Sequence, residues 1–151
     1  MSGKTERRPI AASKPKPRVT RSERRRRSPQ ENDEMVFGVL AKADKPLTAY
    51  ALLGRLRNRG ITAPPTIYRA LDRLIRDGRA HRLESLNAFV ACARPHHRSS
   101  AVFAICRRCG TTAEFADAKL APQISGLAKR LRFHADESVL EIRGECANCK
   151  E

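Results

Sequence analysis

Apolar residues recur at helical spacing in three successive stretches of the first half of the chain. The spacing predicts helices over about 29–43, 48–60 and 64–78, because apolar side chains three and four positions apart share one face of a helix. Typical capping residues flank these stretches, namely Ser28, Thr48, Gly60 and Gly78. The third stretch has the clearest apolar stripe, which consists of Ile67, Leu71, Leu74 and Ile75.

A short β-hairpin is predicted directly after the third helix. Two β-like runs over 80–84 and 88–92 flank a turn at 85–87. Three helices followed by such a hairpin are typical of a winged helix, whose third helix enters the major groove of DNA. The other face of that helix is mostly basic, which fits this role and equally fits an ordinary solvated surface. The residues on this face and at its edges are Thr66, Tyr68, Arg69, Asp72, Arg73 and Arg76.

The sequence pattern changes after the hairpin, and a second small unit is predicted. Residues 93–100 are rich in Pro, His and Ser and are interpreted as a hinge. Beyond it we expect strands over 101–106, 111–115 and 139–142 and a helix over 118–132. The fold class is therefore α+β, with a winged-helix domain over 29–92 and a small α/β domain over 101–151. About 50 residues make a small core, which a metal or a partner subunit commonly supports.

Two Cys-x-x-Cys pairs provide a candidate metal site in the second unit. They are Cys106 with Cys109 and Cys146 with Cys149, separated by 36 residues. Zinc binds four thiolates tetrahedrally, and the two-residue spacing lets both sulfurs of a pair reach one ion. Such a closed site has no position for a substrate, so we interpret it as structural. A pair of redox-active dithiols is the alternative.

The fifth cysteine, Cys92, ends the hairpin. A lone cysteine is commonly a small buried hydrophobic residue. However, His81 lies in the preceding strand, and His96 and His97 follow within five residues. Imidazole and thiolate ligands favour zinc over hard cations, so a second metal site is the other interpretation.

Basic residues are concentrated at the N-terminus. Residues 1–28 carry +9 of the formal net charge of +15 and few aliphatic side chains. We interpret this segment as a disordered basic arm, because it cannot bury enough apolar area to fold. It is either a solubilising tail or an arm that contacts phosphates. The overall basic charge favours a polyanionic partner, most often nucleic acid.

The composition also excludes several classes of protein. No stretch approaches the roughly 20 apolar residues of a membrane span, so a membrane protein is not expected. No apolar segment follows the basic N-terminus, so a secreted protein is not expected either. An odd number of cysteines fits a reducing cytoplasm and metal binding better than a disulfide framework. Neither an HExxH motif nor a nucleophile constellation is present, so we expect no enzyme and no small-molecule substrate.

Several motifs occur together from residue 29 to residue 151. They are the run Pro64-Pro65-Thr66-Ile67-Tyr68-Arg69-Ala70-Leu71, then His81-x-x-Glu84-Ser85-x-Asn87 with Cys92, the two cysteine pairs, and Phe133 with Leu140-Glu141-x-x-Gly144-x-Cys146. This combination resembles the ferric uptake regulator family, and within it the zinc uptake regulator branch. The iron branch has His-His-Asp-His before its first cysteine pair, whereas this chain has His96-His97-Arg98-Ser99.

The resemblance implies which residues hold metal. The four paired cysteines, Cys106, Cys109, Cys146 and Cys149, match the structural zinc site of the family. A regulatory zinc between the two domains is implied at His81, Cys92, His97 and Glu114, with His96 as the alternative to His97. The expected cofactor is therefore zinc, at about two ions per chain.

The resemblance also implies a function. We expect a homodimer, joined through the C-terminal domains, that binds pseudo-palindromic double-stranded operator DNA when loaded with zinc and represses zinc uptake genes. Arg69 is predicted to contact guanine, Tyr68 a thymine methyl or a phosphate, and Thr66, Arg73 and Arg76 phosphates. One alternative is a sensor of iron or peroxide from the same family. Another is a zinc-ribbon RNA-binding protein, which the aromatic content of 5% disfavours.

Overall fold

Four helices and five strands make up the computed structural model, which describes residues 27–93, 101–115, 119–135 and 138–150. The helices are α1 Pro29–Leu40, α2 Ala49–Leu56, α3 Pro64–Arg76 and α4 Leu120–Arg130. The strands are β1 Ala80–Leu83, β2 Ala88–Ala91, β3 Ala101–Cys106, β4 Thr112–Phe115 and β5 Val139–Gly144. Within the described ranges, no helix is both long and apolar enough to cross a membrane. Most of the predicted basic arm and of the predicted hinge lies outside these ranges.

The ends of the first three helices are where their capping residues predict them. The Ser28 hydroxyl accepts the N–H of Glu31 at 3.1 Å, and the Glu31 carboxylate accepts the N–H of Ser28 at 2.7 Å, which completes a capping box. Gly60 and Gly78 both have positive φ, as residues just past a helix end often do. Helix α1 ends at Leu40, before the expected residue 43, and the N–H of Ala43 turns back to the carbonyl of Leu40. Helix α2 ends at Leu56, and a 3-10 turn over Arg57–Arg59 continues it to Gly60.

The apolar stripes of α1, α2 and α3 meet in one core, beneath the hairpin of β1 and β2. The residues of this core that are less than 2% exposed are Val36, Leu52, Leu56, Ile67, Ala70, Leu71, Leu74 and Ala80. A backbone bridge between Leu47 and Phe89 attaches the loop before α2 to the hairpin. The arrangement is the winged helix that the sequence predicts, and the α+β class is confirmed.

Two acidic residues of α1 form ion pairs with arginines of α3 and of the segment before β1. Arg73 of α3 donates from Nε and Nη2 to the two carboxylate oxygens of Asp33, at 2.8 and 2.7 Å. Arg79 donates in the same manner to Glu34 and also lies over the ring of Phe37, 4.2 Å from its centroid. Asp33 is almost fully buried, so its pairing with Arg73 fixes the position of α3 against α1.

The C-terminal part is a three-stranded sheet in the order β4-β3-β5. Strand β3 is antiparallel to β4 and parallel to β5. One face of β3 carries Ala101, Phe103 and Ile105, and this face packs on Leu83, Leu86 and Val90 of the hairpin. The winged helix and the sheet therefore share an apolar contact.

The rest of the C-terminal part leaves apolar side chains exposed. The sequence predicts an apolar stripe on the helix over 118–132, but α4 buries none of its residues in the described part of the chain. The exposed apolar residues on and around α4 and β5 are Phe115, Leu127, Leu131, Phe133, Val139, Leu140 and Ile142. The face of the sheet opposite the hairpin is only partly covered, since Val102 is buried there but Leu140 and Ile142 are exposed. Small domains normally have a complete second layer on that face.

Replacing Asp33 by Asn tests the contact between α1 and α3. The substitution removes the charge from a buried acceptor and leaves one oxygen facing the Arg73 guanidinium. We expect a loss of about 1.5–3 kcal/mol in the free energy of unfolding, the range for hydrogen bonds to charged groups. Urea unfolding of the metal-loaded protein measures it. Asp72→Asn, at an exposed position on α3, is the control and should change stability by less than about 0.5 kcal/mol. Equal effects of the two substitutions would contradict the role of the pair.

Candidate metal centres and nucleic-acid surface

Four cysteine sulfurs converge at one end of the C-terminal sheet. The sulfurs of Cys106, Cys109, Cys146 and Cys149 all lie within 4.8 Å of one another. The sulfurs of Cys109 and Cys146 are 3.7 Å apart. In a tetrahedral site with Zn–S bonds of about 2.3 Å, neighbouring sulfurs are roughly 3.8 Å apart. The cluster therefore has the dimensions and the donor type that one zinc ion requires.

The strand register explains why these cysteines meet. Because β3 and β5 run parallel and Cys106 pairs with Gly144, both cysteine pairs begin at the same end of the sheet. The N–H of Arg107 donates to the carbonyl of Gly144 at 2.8 Å, which extends this pairing by one bond. Gly110 has φ +75° and donates its N–H to the carbonyl of Cys106, which closes the first turn.

The four thiols differ in acidity. The backbone N–H groups of Cys109 and Cys146 point at the Cys106 sulfur and lower the pKa of Cys106 to about 6. The hydrogen bond with Cys146, together with desolvation, raises the pKa of Cys149 to about 12. Thiolates this close repel one another, so a divalent cation is needed for all four to be deprotonated together.

A second cluster joins the hairpin to the sheet. It consists of His81 on β1, Cys92 after β2 and Glu114 on β4, whose ligand atoms lie within 4.8 Å of one another. Glu114 Oε1 is 3.8 Å from the Cys92 sulfur and 4.0 Å from His81 Nε2. His81 and Cys92 are only 7% and 6% exposed.

Neighbouring groups orient the side chains of this second cluster. The other carboxylate oxygen of Glu114 accepts the N–H of Ala93 at 2.9 Å, so Oε1 is directed at His81 and Cys92. The His81 ring packs edge-on against Phe103, with the ring centroids 5.3 Å apart. Contacts of this kind outside the ligand set commonly hold metal ligands in place.

The donor set of the second cluster fits zinc. In a tetrahedral site with bonds of about 2.0–2.3 Å, ligand atoms lie roughly 3.3–3.8 Å apart, so only a small contraction is required. Imidazole, thiolate and carboxylate are all ligands that zinc accepts. Three of the four predicted ligands are thus placed together. His97 and the alternative His96 lie outside the described residues, so the fourth ligand stays a prediction.

The predicted DNA-contacting residues all lie on α3, but the side chain of Arg73 also pairs with a residue of α1. Tyr68 is 44% exposed, Arg69 and Arg76 are exposed, and Thr66 is half-buried. Arg73 instead directs its guanidinium at Asp33, which raises the pKa of Arg73 further. This ion pair joins residues 40 positions apart, which no local pattern of the sequence connects. The phosphate contact of Arg73 stays a prediction.

The chain is similar to known proteins in both sequence and fold. No protein-family model matches the chain. The zinc uptake regulation protein of Escherichia coli (strain K12) is 38% identical over 120 residues, which cover 77% of this chain and 69% of that protein. The structure of holo XcZur is 42% identical with a TM-score of 0.71, covering 78% of this chain and 82% of that one. A zinc uptake regulator complexed with zinc and DNA is 34% identical with a TM-score of 0.70, covering 78% and 79%.

The winged helix and the two metal-ligand clusters define the class as a metal-binding transcription regulator. Within that class, the chain belongs to the ferric uptake regulator family, in its zinc uptake regulator branch. The family that the sequence motifs indicate is therefore confirmed. Because its relatives are regulators, the prediction that the chain is not an enzyme is confirmed as well.

Replacing Cys146 by Ser tests the four-cysteine centre. We expect unfolding of the small C-terminal sheet and loss of its zinc, together with any zinc bound at Glu114 of the same sheet, since structural zinc supplies roughly 10–16 kcal/mol in small zinc domains. Elemental analysis after mild chelation gives the zinc content, and circular dichroism follows folding. Cys92→Ser is the matched control, since it removes a thiol outside this cluster and should keep that zinc. Unchanged zinc content in Cys146→Ser would refute the assignment.

Proposed function

We propose that this chain is a zinc-responsive transcriptional repressor that binds operator DNA as a zinc-loaded homodimer and controls zinc uptake genes. The observation that carries the proposal is the cluster of His81, Cys92 and Glu114. Two of its ligands belong to the winged-helix hairpin and the third to the C-terminal sheet. A zinc ion bound there holds the two parts in one relative orientation. The regulator that was solved with both zinc and DNA supports this proposal.

Zinc acts in this proposal through its differential affinity. An ion that binds more tightly to the docked orientation than to others shifts the population toward the docked one. The three ligands supply the energy for this shift only when the hairpin lies against β4. Zinc accordingly governs how α3 is presented to DNA, while the four-cysteine zinc keeps the sheet folded. This gives about two zinc ions per chain, with His97 or His96 as the fourth regulatory ligand.

The homodimer in this proposal forms through the C-terminal part. The exposed apolar residues of α4 and β5 supply a surface that a second copy can cover. A two-fold axis there places two copies of α3 on half-sites about 34–36 Å apart, which matches a pseudo-palindromic operator. We retain the domain limits 1–28, 29–92, 93–100 and 101–151 and a cytoplasmic location as parts of the proposal.

Contacts with DNA are assigned to the exposed side of α3. Arg69 donates to a guanine, Tyr68 contacts a thymine methyl or a phosphate, and Thr66 and Arg76 contact phosphates. Arg73 can contribute to a phosphate contact from its position beside Asp33, but it also positions the helix.

The Cys92 thiolate favours zinc over the hard cations, which supports the zinc sensor over the iron or peroxide sensor.

Replacing Cys92 by Ser tests the sensor. We expect zinc content to fall from about two ions per chain to about one, because a hydroxyl is a poor substitute for a thiolate ligand. Zinc-dependent binding to the operator duplex should be lost together with that ion. Elemental analysis and a DNA-binding titration measure the two effects. One zinc in both proteins, with unchanged DNA binding, would make Cys92 a packing residue and reject the sensor site.

Replacing Arg69 by Ala tests the base contact. We expect a loss of about 1–3 kcal/mol in operator binding and a smaller loss on random duplex, because only the operator offers the matching guanine. Fluorescence anisotropy with both duplexes measures the difference. Arg130→Ala on α4 is the control for loss of one positive charge and should leave operator binding unchanged. An equal loss on the two duplexes would make Arg69 a phosphate contact.

A further inference from the structure

The winged helix meets a row of three side chains across the C-terminal sheet. Phe103 of β3 is paired with Glu114 of β4 on one side and with Glu141 of β5 on the other. Paired positions on adjacent strands point to the same face of a sheet. Glu114 belongs to the proposed regulatory site, and Phe103 packs against its ligand His81. The third member, Glu141, is part of a sequence motif to which the proposed function gives no role.

Glu141 contacts the turn of the wing. Its Oε1 accepts the N–H of Glu84 at 2.7 Å, and its Oε2 accepts the N–H of Ser85 at 3.2 Å. Both donors belong to the single 3-10 turn between β1 and β2. One carboxylate thus binds two successive backbone N–H groups of the other part of the chain. Glu84 and Ser85 lie 57 and 56 residues before Glu141, so the contact joins two motifs that are distant in the sequence.

We propose that Glu141 is a positioning residue that couples the orientation of the winged helix to regulatory zinc binding. The inference rests on the proposed function, since it assigns a second fixing point to the same docked orientation. The zinc ligands fix the hairpin at Glu114, and Glu141 fixes it at the opposite end of the row. Two separated attachment points prevent rotation about either one, with Phe103 as the apolar contact between them.

Linkage gives the proposal a measurable consequence. If zinc and the Glu141 contact both stabilise the docked orientation, removing the contact weakens zinc binding although no ligand is changed. The four-cysteine zinc lies outside this linkage, because its ligands all belong to the C-terminal part. A residue that only stabilises the fold would not separate the two zinc affinities in this manner.

The test compares three variants of the full chain that carry the four-cysteine zinc. Glu141→Ala removes both acceptors, and Glu141→Gln keeps one oxygen but presents an NH2 group to the other N–H donor. Glu84→Gln is the matched control, because it removes one negative charge from the same turn and leaves its backbone N–H in place. Titration with Zn²⁺ against a chromophoric chelator gives the affinity of the second zinc, and hydrogen exchange follows the amides of Glu84 and Ser85.

We expect Glu141→Ala to weaken the second zinc by about 5- to 50-fold, within the usual range for coupled sites, and Glu141→Gln to weaken it less. The amides of Glu84 and Ser85 should exchange faster in Glu141→Ala, and Glu84→Gln should behave as the wild type. Wild-type affinity for the second zinc in both Glu141 variants would overturn the proposal.

The experiment also separates this inference from the proposed function. If the wild type binds no second zinc, the sensor proposal fails by itself. Hydrogen exchange then tests the positioning contact of Glu141 separately. Unchanged exchange of the Glu84 and Ser85 amides in Glu141→Ala overturns that contact, and faster exchange supports it. If Glu141→Ala does not fold, Glu141→Gln still gives both readouts, because it keeps the size of the side chain.

Discussion

The contact between the hairpin of β1 and β2 and the inner face of β3 is the interaction on which the rest of the molecule depends. Leu83 is fully buried there against Ala101, Phe103 and Ile105, and His81 adds its ring to the same surface. This apolar contact brings the hairpin ligands to within 4.0 Å of Glu114. The proposed regulatory site is therefore a product of the packing between two parts of the chain, and its three ligands come together only when the two parts are in contact.

The two metal clusters have different relations to this contact. All four cysteines of the structural cluster belong to one part, at the end of the parallel pair β3 and β5. Their ion compensates for mutual repulsion of thiolates in a sheet that has little core of its own. The ligands of the second cluster come from both parts. In the proposed function, an ion at the first site therefore maintains the fold, and an ion at the second fixes the orientation of the two parts.

Local signals made most of the secondary structure and the structural metal site predictable from the sequence. Ser28, Thr48 and Gly78 predict helix ends through hydrogen bonds to near neighbours, and Cys-x-x-Cys spacing predicts ligands through one turn. Three other contacts join residues about 40 to 57 positions apart in the sequence. They are the parallel pairing of β3 with β5, the Asp33–Arg73 ion pair and the Glu141 contact. No local periodicity records such pairs, so the sequence motif that contains Glu141 did not reveal what its carboxylate binds.

Strand β5 carries exposed apolar residues and also contacts the hairpin, so the proposed dimerisation and the proposed zinc sensing share one strand. Along β5, Glu141 faces the hairpin, while the adjacent Leu140 and Ile142 are 39% and 50% exposed. Alternation along a strand places these neighbours on the opposite face from Glu141. A second copy that covers Leu140 and Ile142 would stiffen the strand from which Glu141 reaches the wing. In the proposed dimer, the surface that joins two copies and the surface that positions each winged helix are thus the two faces of one strand.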